Sequence, residues 1–222
     1  MRKEKTDTNA EPFITEVNRE CYDKLGKLYK DGKRDLDIIV KIGAWKDFLD
    51  NLSGKSILNV GCGAGDASRL LLDSGYEVIN TDLSPKMLTI AKEKCPEAKN
   101  LVLGATELDK LNERFDGIIA IHLIQHLNRK MATDFFRQTY DHLNKNGVFM
   151  LVFTNTCFEK NGYQLEGGAV EGNMIWWNKW KLEEVASLIG KYNFKPIKFY
   201  QQKYVEKSCG YMEPFVLMCK KA

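Results

Sequence analysis

The stretch Ser56-Ile57-Leu58-Asn59-Val60-Gly61-Cys62-Gly63-Ala64-Gly65-Asp66 decides the fold of this chain. A short apolar run ends in alternating glycines, and a helical pattern carrying Ala67, Leu70, Leu71 and Leu72 follows at once. That order reads as a strand, a tight turn and a helix N-terminus. Glycines let the backbone approach a ligand closely, and the first N–H groups of a helix stand unpaired at the positive end of its dipole. The turn therefore predicts a site for an adenosine-like ligand with an anionic or hydroxyl-bearing portion.

Working outward, Gly75 stops the first helix and a second strand over residues 77–81 runs into Asp82. Ser84-Pro85 then opens a helix, with Ser84 as N-cap, Pro85 in the first helical position and Cys95-Pro96 as the stop. Met87, Leu88, Ile90 and Ala91 give that helix its apolar face. A short third strand covers residues 100–103. Residues 115–121 and 148–153 are apolar almost without a break, as strands buried on both faces are. Between them Asn128 caps a helix reaching about Leu143, and Asn146-Gly147 makes the turn. This alternation of strands and helices predicts an α/β domain with a parallel, doubly wound sheet.

The flanks differ from this core. Residues 1–12 are polar and read as a mobile tail. Ile14, Val17, Cys21, Leu25 and Leu28 recur at helical spacing; a turn at Asp31-Gly32 leads to a second helix through Leu36, Ile39, Val40, Ile42, Trp45, Phe48 and Leu49. Preceding the first strand, these two helices over residues 13–53 are expected as a cap outside the sheet. After the core at 54–153 comes a long irregular segment, 154–180, rich in glycine and closing on Trp176, Trp177 and Trp180. Loops of that length are functional or disordered, and three tryptophans argue for a lid rather than disorder. Residues 181–222 supply a helix stopped by Gly190 and two strands, 194–201 and 212–219, whose short connection forces antiparallel pairing.

The 222 residues suit a single domain, and the net charge of +3, with basic and acidic side chains interleaved, gives no push toward a nucleic-acid partner. The charged residues 2–5 read as a solvated terminus. No apolar stretch reaches the about 18 residues of a membrane span, and the polar start lacks a secretory core. The six cysteines, Cys21, Cys62, Cys95, Cys157, Cys209 and Cys219, form no C-x-x-C pair and read as free thiols of a reducing compartment, hence a cytoplasmic protein.

Two ligands compete for the glycine turn. A dinucleotide fingerprint requires a third glycine where this chain has Asp66, and a carboxylate there repels a pyrophosphate. Asp82 suits a ribose diol under either reading. Taken with three further motifs, the turn resembles that of class I S-adenosylmethionine-dependent methyltransferases, specifically the ubiquinone-methyltransferase-like small-molecule group. Residues 57–65 are similar to the first motif of that family. Asp82-Leu83-Ser84-Pro85-Lys86-Met87 matches the second, residues 104–108 the third, and residues 115–127, ending in His126-Leu127, the fourth. The resemblance implies a Rossmann-like, doubly wound seven-stranded sheet, mostly parallel with an antiparallel C-terminal strand, helices on both faces and an N-terminal helical cap.

It also implies roles for residues. Gly61, Cys62, Gly63 and Gly65 would cradle the methionine portion and ribose of S-adenosylmethionine, and S-adenosylhomocysteine as its product. Asp82 would hold the ribose hydroxyls, Leu83 and Met87 would lie against the adenine, and Ala105 and Thr106 would meet its edge. Ile121 and His122 would approach the amino group and sulfonium, and Tyr22 and Tyr29 would close over the cofactor. The family commonly has an acid at Asn59; an amide still accepts a hydrogen bond but brings no charge to offset the ammonium.

His126 is the candidate general base, since a neutral imidazole can take a proton from an acceptor. Its i, i+4 spacing from His122 could suit a metal, but no H-E-x-x-H and no third ligand accompany it, so no metal site is expected. His142 reads as a surface residue at a helix end. Trp176, Trp177 and Trp180 are candidates to wall an acceptor pocket. Cys62 serves backbone contact rather than nucleophilic attack. Methyl transfer from a sulfonium is an in-line displacement, so alignment supplies most of the catalysis, about 7–11 kcal/mol. A small-molecule acceptor is the expected partner. A protein or RNA methyltransferase is the alternative, opposed by the lack of an N/D-P-P-Y-type tetrapeptide after strand four. A non-catalytic cofactor-binding domain is a third reading.

Overall fold

The computed structural model describes residues 10–26, 29, 31–154, 162–165, 173–202, 204–206, 210–212 and 214–222. The chain opens with three helices, α1 (Glu11–Leu25), α2 (Asp31–Lys41) and α3 (Ala44–Asn51). The core follows as β1 (Ser56–Val60), α4 (Asp66–Asp73), β2 (Glu77–Asp82), α5 (Pro85–Lys94), β3 (Lys99–Val102), β4 (Phe115–Ile121), α6 (Arg129–His142) and β5 (Leu143–Thr154). Next come β6 (Gly162–Leu165), β7 (Met174–Trp177), α7 (Leu182–Lys191), β8 (Phe194–Gln201), β9 (Tyr204–Glu206), β10 (Gly210–Met212) and β11 (Pro214–Lys221).

Seven strands form one sheet in the order β3-β2-β1-β4-β5-β11-β8. The first five pair in parallel, and β11 inserts antiparallel between β5 and β8, as the resemblance implied. The order reverses between β1 and β4. Open α/β sheets bind ligands outside the carboxyl ends of their strands at such a switch point.

The apolar runs explain themselves here. Along β5, Phe149, Leu151 and Phe153 join a core with α6 and α7, while Val148, Met150 and Val152 join another with α2, α3 and α4. Both faces are dry, so no polar alternation is needed. On the first face Phe135, Phe136, Phe149 and Phe194 meet edge to face. On the second, α3 lies so close to β4 that a Cβ at Gly117 would stand 2.9 Å from the Phe48 ring.

The structure corrects several boundaries. Helix α1 begins at Glu11, within the residues expected as a tail, because Pro12 presets the first-turn dihedral and has no N–H to lose. Residues 1–9 lie outside the described part. Asp31-Gly32 is not a turn but the start of α2; the break falls at Gly43, whose φ of 80° a side chain disfavours. Strand β5 extends back to Leu143. Gly190 lies in the last turn of α7, and the chain turns instead near Asn193, at φ 57°. The segment expected to be irregular contains an antiparallel pair, β6 with β7, and the final connection contains another, β9 with β10. Leu28, Cys157, Gly167, Gly168, Gly172 and Cys209 lie outside the described residues. No helix among the described residues is long and apolar enough to cross a membrane.

Candidate functional site

The glycine turn leaves β1 with Gly61, Gly63 and Gly65 all at positive φ, between 53° and 80°. Gly61 is irreplaceable on dihedral grounds, and a Cβ there would also press on Leu123 at 2.9 Å. Gly65 stands where α4 touches α5; a Cβ would meet Ala91 at 3.1 Å. Asp66, in place of a third dinucleotide glycine, pairs with Lys94 of α5 at 2.6 Å.

Asp82 faces the turn from the end of β2. One carboxylate oxygen accepts from Gly63 N at 2.9 Å, the other from Ser84 N at 2.9 Å. Enclosure pushes its carboxyl up to about 6, against the pull of those N–H donors. Ser84 caps α5 by accepting from Met87 N, and its hydroxyl donates to Asp23 of α1 at 2.5 Å. The first helix is thus tied to the loop that carries Asp82.

A cleft opens between these parts. Tyr22, Tyr29, Gly61, Gly63, Asp82, Leu83, Ala105, Ile121, His122 and His126, all expected from the sequence, line it. A second, smaller space shares Tyr29 and His122 and is lined further by Asn59, Cys62, Ala64 and Asp66. The Cys62 thiol is raised well above its ordinary range by burial, which agrees with its reading as a non-nucleophile. Asn18, Leu103 and Leu123 also line the main cavity and were missed. Asn18 carried a signal: a polar side chain on the buried stripe of α1, beside Ile14, Val17 and Cys21.

His126 is the most constrained ionisable group in this space. Its Nδ1 lies 3.1 Å from the Trp176 carbonyl, which can only accept, so Nδ1 carries the proton. Nε2 is therefore the acceptor, and the Tyr22 hydroxyl donates to it at 2.8 Å. Burial lowers His126 to about 4, with the Trp176 carbonyl opposing, so the ring is neutral at pH 7. The rings of Tyr22 and Trp177 stand edge-on to it, at 5.3 and 5.2 Å. Asn18 closes the arrangement: its Nδ2 donates to the His126 carbonyl and its Oδ1 accepts from Trp176 N. His122, at φ 54°, holds a backbone conformation uncommon for a side-chain-bearing residue, and its N–H donates to the Val152 carbonyl. Strain of that kind gathers at functional sites.

A sequence profile described as a methyltransferase domain matches residues 57–147, which span the glycine turn, Asp82 and His126. Over this stretch, 91 of the 222 residues, the chain is similar to methyltransferase domains. Among curated relatives, a ubiquinone biosynthesis O-methyltransferase of Azorhizobium caulinodans is 30% identical over 111 residues, covering 48% of this chain and 43% of its own. The chain spans about half the length of the curated relatives it matches. A solved Pyrococcus horikoshii protein shares the fold with a TM-score of 0.68 at 18% identity, covering 96% of this chain and 97% of its own. The magnesium protoporphyrin IX methyltransferase of Synechocystis, solved with bound S-adenosylhomocysteine, gives 0.63 at 16%, covering 84% and 82%.

Other expected site residues fall elsewhere. Met87 is buried behind the cavity, with Cys21, Leu25 and Ile175. Thr106 turns its carbonyl to Gln138 Nε2. Trp176 packs its ring half-buried against the main core and meets His126 through its backbone carbonyl, whereas the Trp177 ring stands edge-on to the imidazole. Trp180 is 1% exposed within that core, where its Nε1 donates to the Ile124 carbonyl and Arg129 stacks on its ring at 4.0 Å. It is a structural anchor because the turn it serves comes from a segment remote in sequence. His142 is likewise buried, not a surface residue; Leu111, from the β3–β4 connection, covers it, and its ring nitrogens face the Gln138 and Leu111 carbonyls. Among the described residues no three metal-ligating side chains come together.

Proposed function

We propose that this protein binds S-adenosylmethionine and transfers its methyl group to a small-molecule acceptor, with His126 receiving the acceptor's proton. One observation carries the reading: Asp82, the glycine turn and the Tyr22–His126 pair line a single cavity. S-adenosylmethionine, when bound, supplies an electrophilic methyl on a sulfonium that leaves as a thioether. Asp82 accepts from the two ribose hydroxyls, and Leu83, Leu103 and Ala105 offer an apolar wall for the adenine. Tyr22, Tyr29 and Trp177 exclude water from the reacting end. As the acceptor's heteroatom takes the methyl and the sulfonium's electron pair stays on sulfur, the acceptor's proton would pass to the Tyr22 hydroxyl, whose own proton would move to His126 Nε2, 2.8 Å away.

A base near pKa 4 suffices for that last step, because an oxygen that gains a methyl while still protonated becomes strongly acidic. The relatives named for ubiquinone and protoporphyrin methylation support a small organic acceptor, and no described side chain of the cavity wall is a lysine or arginine that would favour a polyanion. Cys62, Cys95 and Cys219, buried as free thiols, suit the reducing cytoplasm.

The test is incubation of the protein with extract and S-adenosylmethionine carrying a labelled methyl. Label is expected in a low-mass fraction. Label confined to protein or RNA would replace the acceptor class, and binding of S-adenosylhomocysteine without transfer to any fraction would favour a regulatory domain.

A further inference from the structure

Strand β7 pairs with β6 along one edge, and the two form a sheet of their own. Its other edge presents N–H and C=O groups that need partners wherever they are buried. At Trp176 those partners are side chains. The Trp176 N–H donates to Asn18 Oδ1 at 2.8 Å, and its carbonyl accepts from His126 Nδ1 at 3.1 Å. Two residues on, Asn178 N donates to the Gln125 carbonyl. Asn18 and the turn that carries His126 thus take the place a neighbouring strand would hold.

Asn18 closes these contacts into a ring. It lies on α1, 2% exposed, and its Nδ2 donates to the His126 main-chain carbonyl at 3.1 Å. Its orientation is determined twice over. An N–H only donates and a carbonyl only accepts, so its oxygen must face Trp176 and its nitrogen His126. The imidazole is the one member of the ring with a choice of where to carry its proton, and the Trp176 carbonyl settles that choice at Nδ1.

The consequence falls on the other nitrogen. A neutral imidazole has one proton, and the hydrogen bond made by one nitrogen decides what the other can do. With Nδ1 protonated, Nε2 keeps its lone pair and accepts from the Tyr22 hydroxyl. With the proton on Nε2, the same ring could only donate toward Tyr22 and could receive no proton from that side. We propose that Asn18 is a positioning residue for His126: by holding β7 against α1 it delivers the Trp176 carbonyl to Nδ1, so that the basic nitrogen faces the cleft only while β7 is seated. The bearing of this on catalysis rests on the reading of His126 as the base.

The groups facing the ring are the Tyr22 hydroxyl from α1, the Trp176 carbonyl and Trp177 ring from β7, and the His122 imidazole just past β4. Asp82 is the carboxylate among the described residues that line the same cleft. Burial among these groups holds His126 down at about 4, and the Trp176 carbonyl opposes it. Losing that carbonyl alone would lower the ring further, so a rise toward the ordinary 6.5 reports that water has reached it.

Nitrogen-15 NMR of the full, unliganded chain labelled at its histidines tests this without cofactor or acceptor. There are three histidines, and His126→Gln assigns the His126 signals by their loss. The unaltered protein is expected to show His126 as the Nδ1–H tautomer alone, neutral from about pH 8 to about pH 5. Asn18→Leu removes both amide contacts at similar volume; it should bring in the Nε2–H tautomer and raise the titration midpoint by about one unit or more. Asn18→Ser, too short to bridge the two partners, should do the same if Asn18→Leu does not fold. Tyr22→Phe removes the contact on the other nitrogen and should leave the proton on Nδ1. An Nε2–H tautomer in the unaltered protein, or an unchanged Nδ1–H tautomer in a folded Asn18 variant, would overturn the proposal. So would loss of the Nδ1–H tautomer in Tyr22→Phe. An unchanged kcat in His126→Gln would instead overturn the base reading and leave the tautomer result standing.

Discussion

At the residue scale, Asp82 and His126 carry opposite pH signatures. The folded, unliganded protein holds Asp82 protonated up to about pH 6, whereas accepting from two ribose hydroxyls needs the carboxylate. Affinity for S-adenosylhomocysteine should therefore be flat above pH 7 and fall toward about tenfold per unit below pH 6, measured by calorimetry across buffers. Stability moves the other way for this group: from pH 3.8 to 6 the folded chain holds a proton the unfolded chain has lost, so rising pH removes stability. His126, lowered to about 4 from 6.5, gives stability that is complete above pH 6.5 and is lost as pH falls toward 4.

The same assignment separates the kinetic constants. With both substrates saturating, kcat should show no break near 6.5 and should fall only as pH nears 4, while the KM for S-adenosylmethionine rises below 6. His126→Gln should lower kcat about 100-fold and leave S-adenosylhomocysteine affinity within a few fold. A variant with unchanged kcat would leave alignment alone as the source of catalysis. These residues were legible because each lies in a contiguous motif. Asn18 and the Tyr22 hydrogen bond to His126 were not, since 104 residues separate the two partners and only the fold joins them.

At the scale of elements, the decisive feature is the short 3₁₀ turn Ile124–His126 and how it is held. Its carbonyls and that of Leu127 accept, in order, from Trp180 Nε1, Asn178 N, Asn18 Nδ2 and Asn178 Nδ2. Four successive carbonyls are thus pinned by Asn178, Trp180 and α1, which fixes the position of the proposed base. Trp180→Phe keeps an aromatic ring and removes one of the two donors to the Ile124 carbonyl, leaving Leu127 N on it. Loss of that hydrogen bond should cost about 0.5–1.5 kcal/mol in denaturant unfolding and lower kcat more than it raises the cofactor KM. An equal effect on both constants would make Trp180 a general packing residue. Periodicity found β4 and β5 because burial on both faces writes an unbroken apolar run. It missed β6 and β7, which pair with each other rather than with the main sheet, and it merged α2 with α3 because both halves point their apolar stripes at one face.

On the scale of the whole molecule, α1 closes the site from outside the sheet. Its Asp23 accepts from Ser84 Oγ and Lys86 N at the start of α5, its Asn18 joins β7 to the His126 turn, and its Tyr22 walls the cavity. The helix therefore touches the loop after Asp82, strand β7 and His126 at once, while its own contacts to the sheet are few: Ile14 is its one residue in the main core. A ligand lying between Tyr22 and Asp82 adds contacts to α1 that the empty cavity lacks, and local opening free energies rise with such contacts. Amide exchange should accordingly slow on addition of S-adenosylhomocysteine across α1 and β7, as well as in the glycine turn. At saturation the slowing should be on the order of tenfold or more, while β5, already among the most protected strands, should not change. Slowing confined to the turn and to residues 82–84 would mean that the cofactor is held from the sheet side alone, and that α1 encloses the acceptor instead. In that case Tyr22→Phe should alter the acceptor KM and leave cofactor affinity untouched, whereas an enclosing α1 predicts a loss in both.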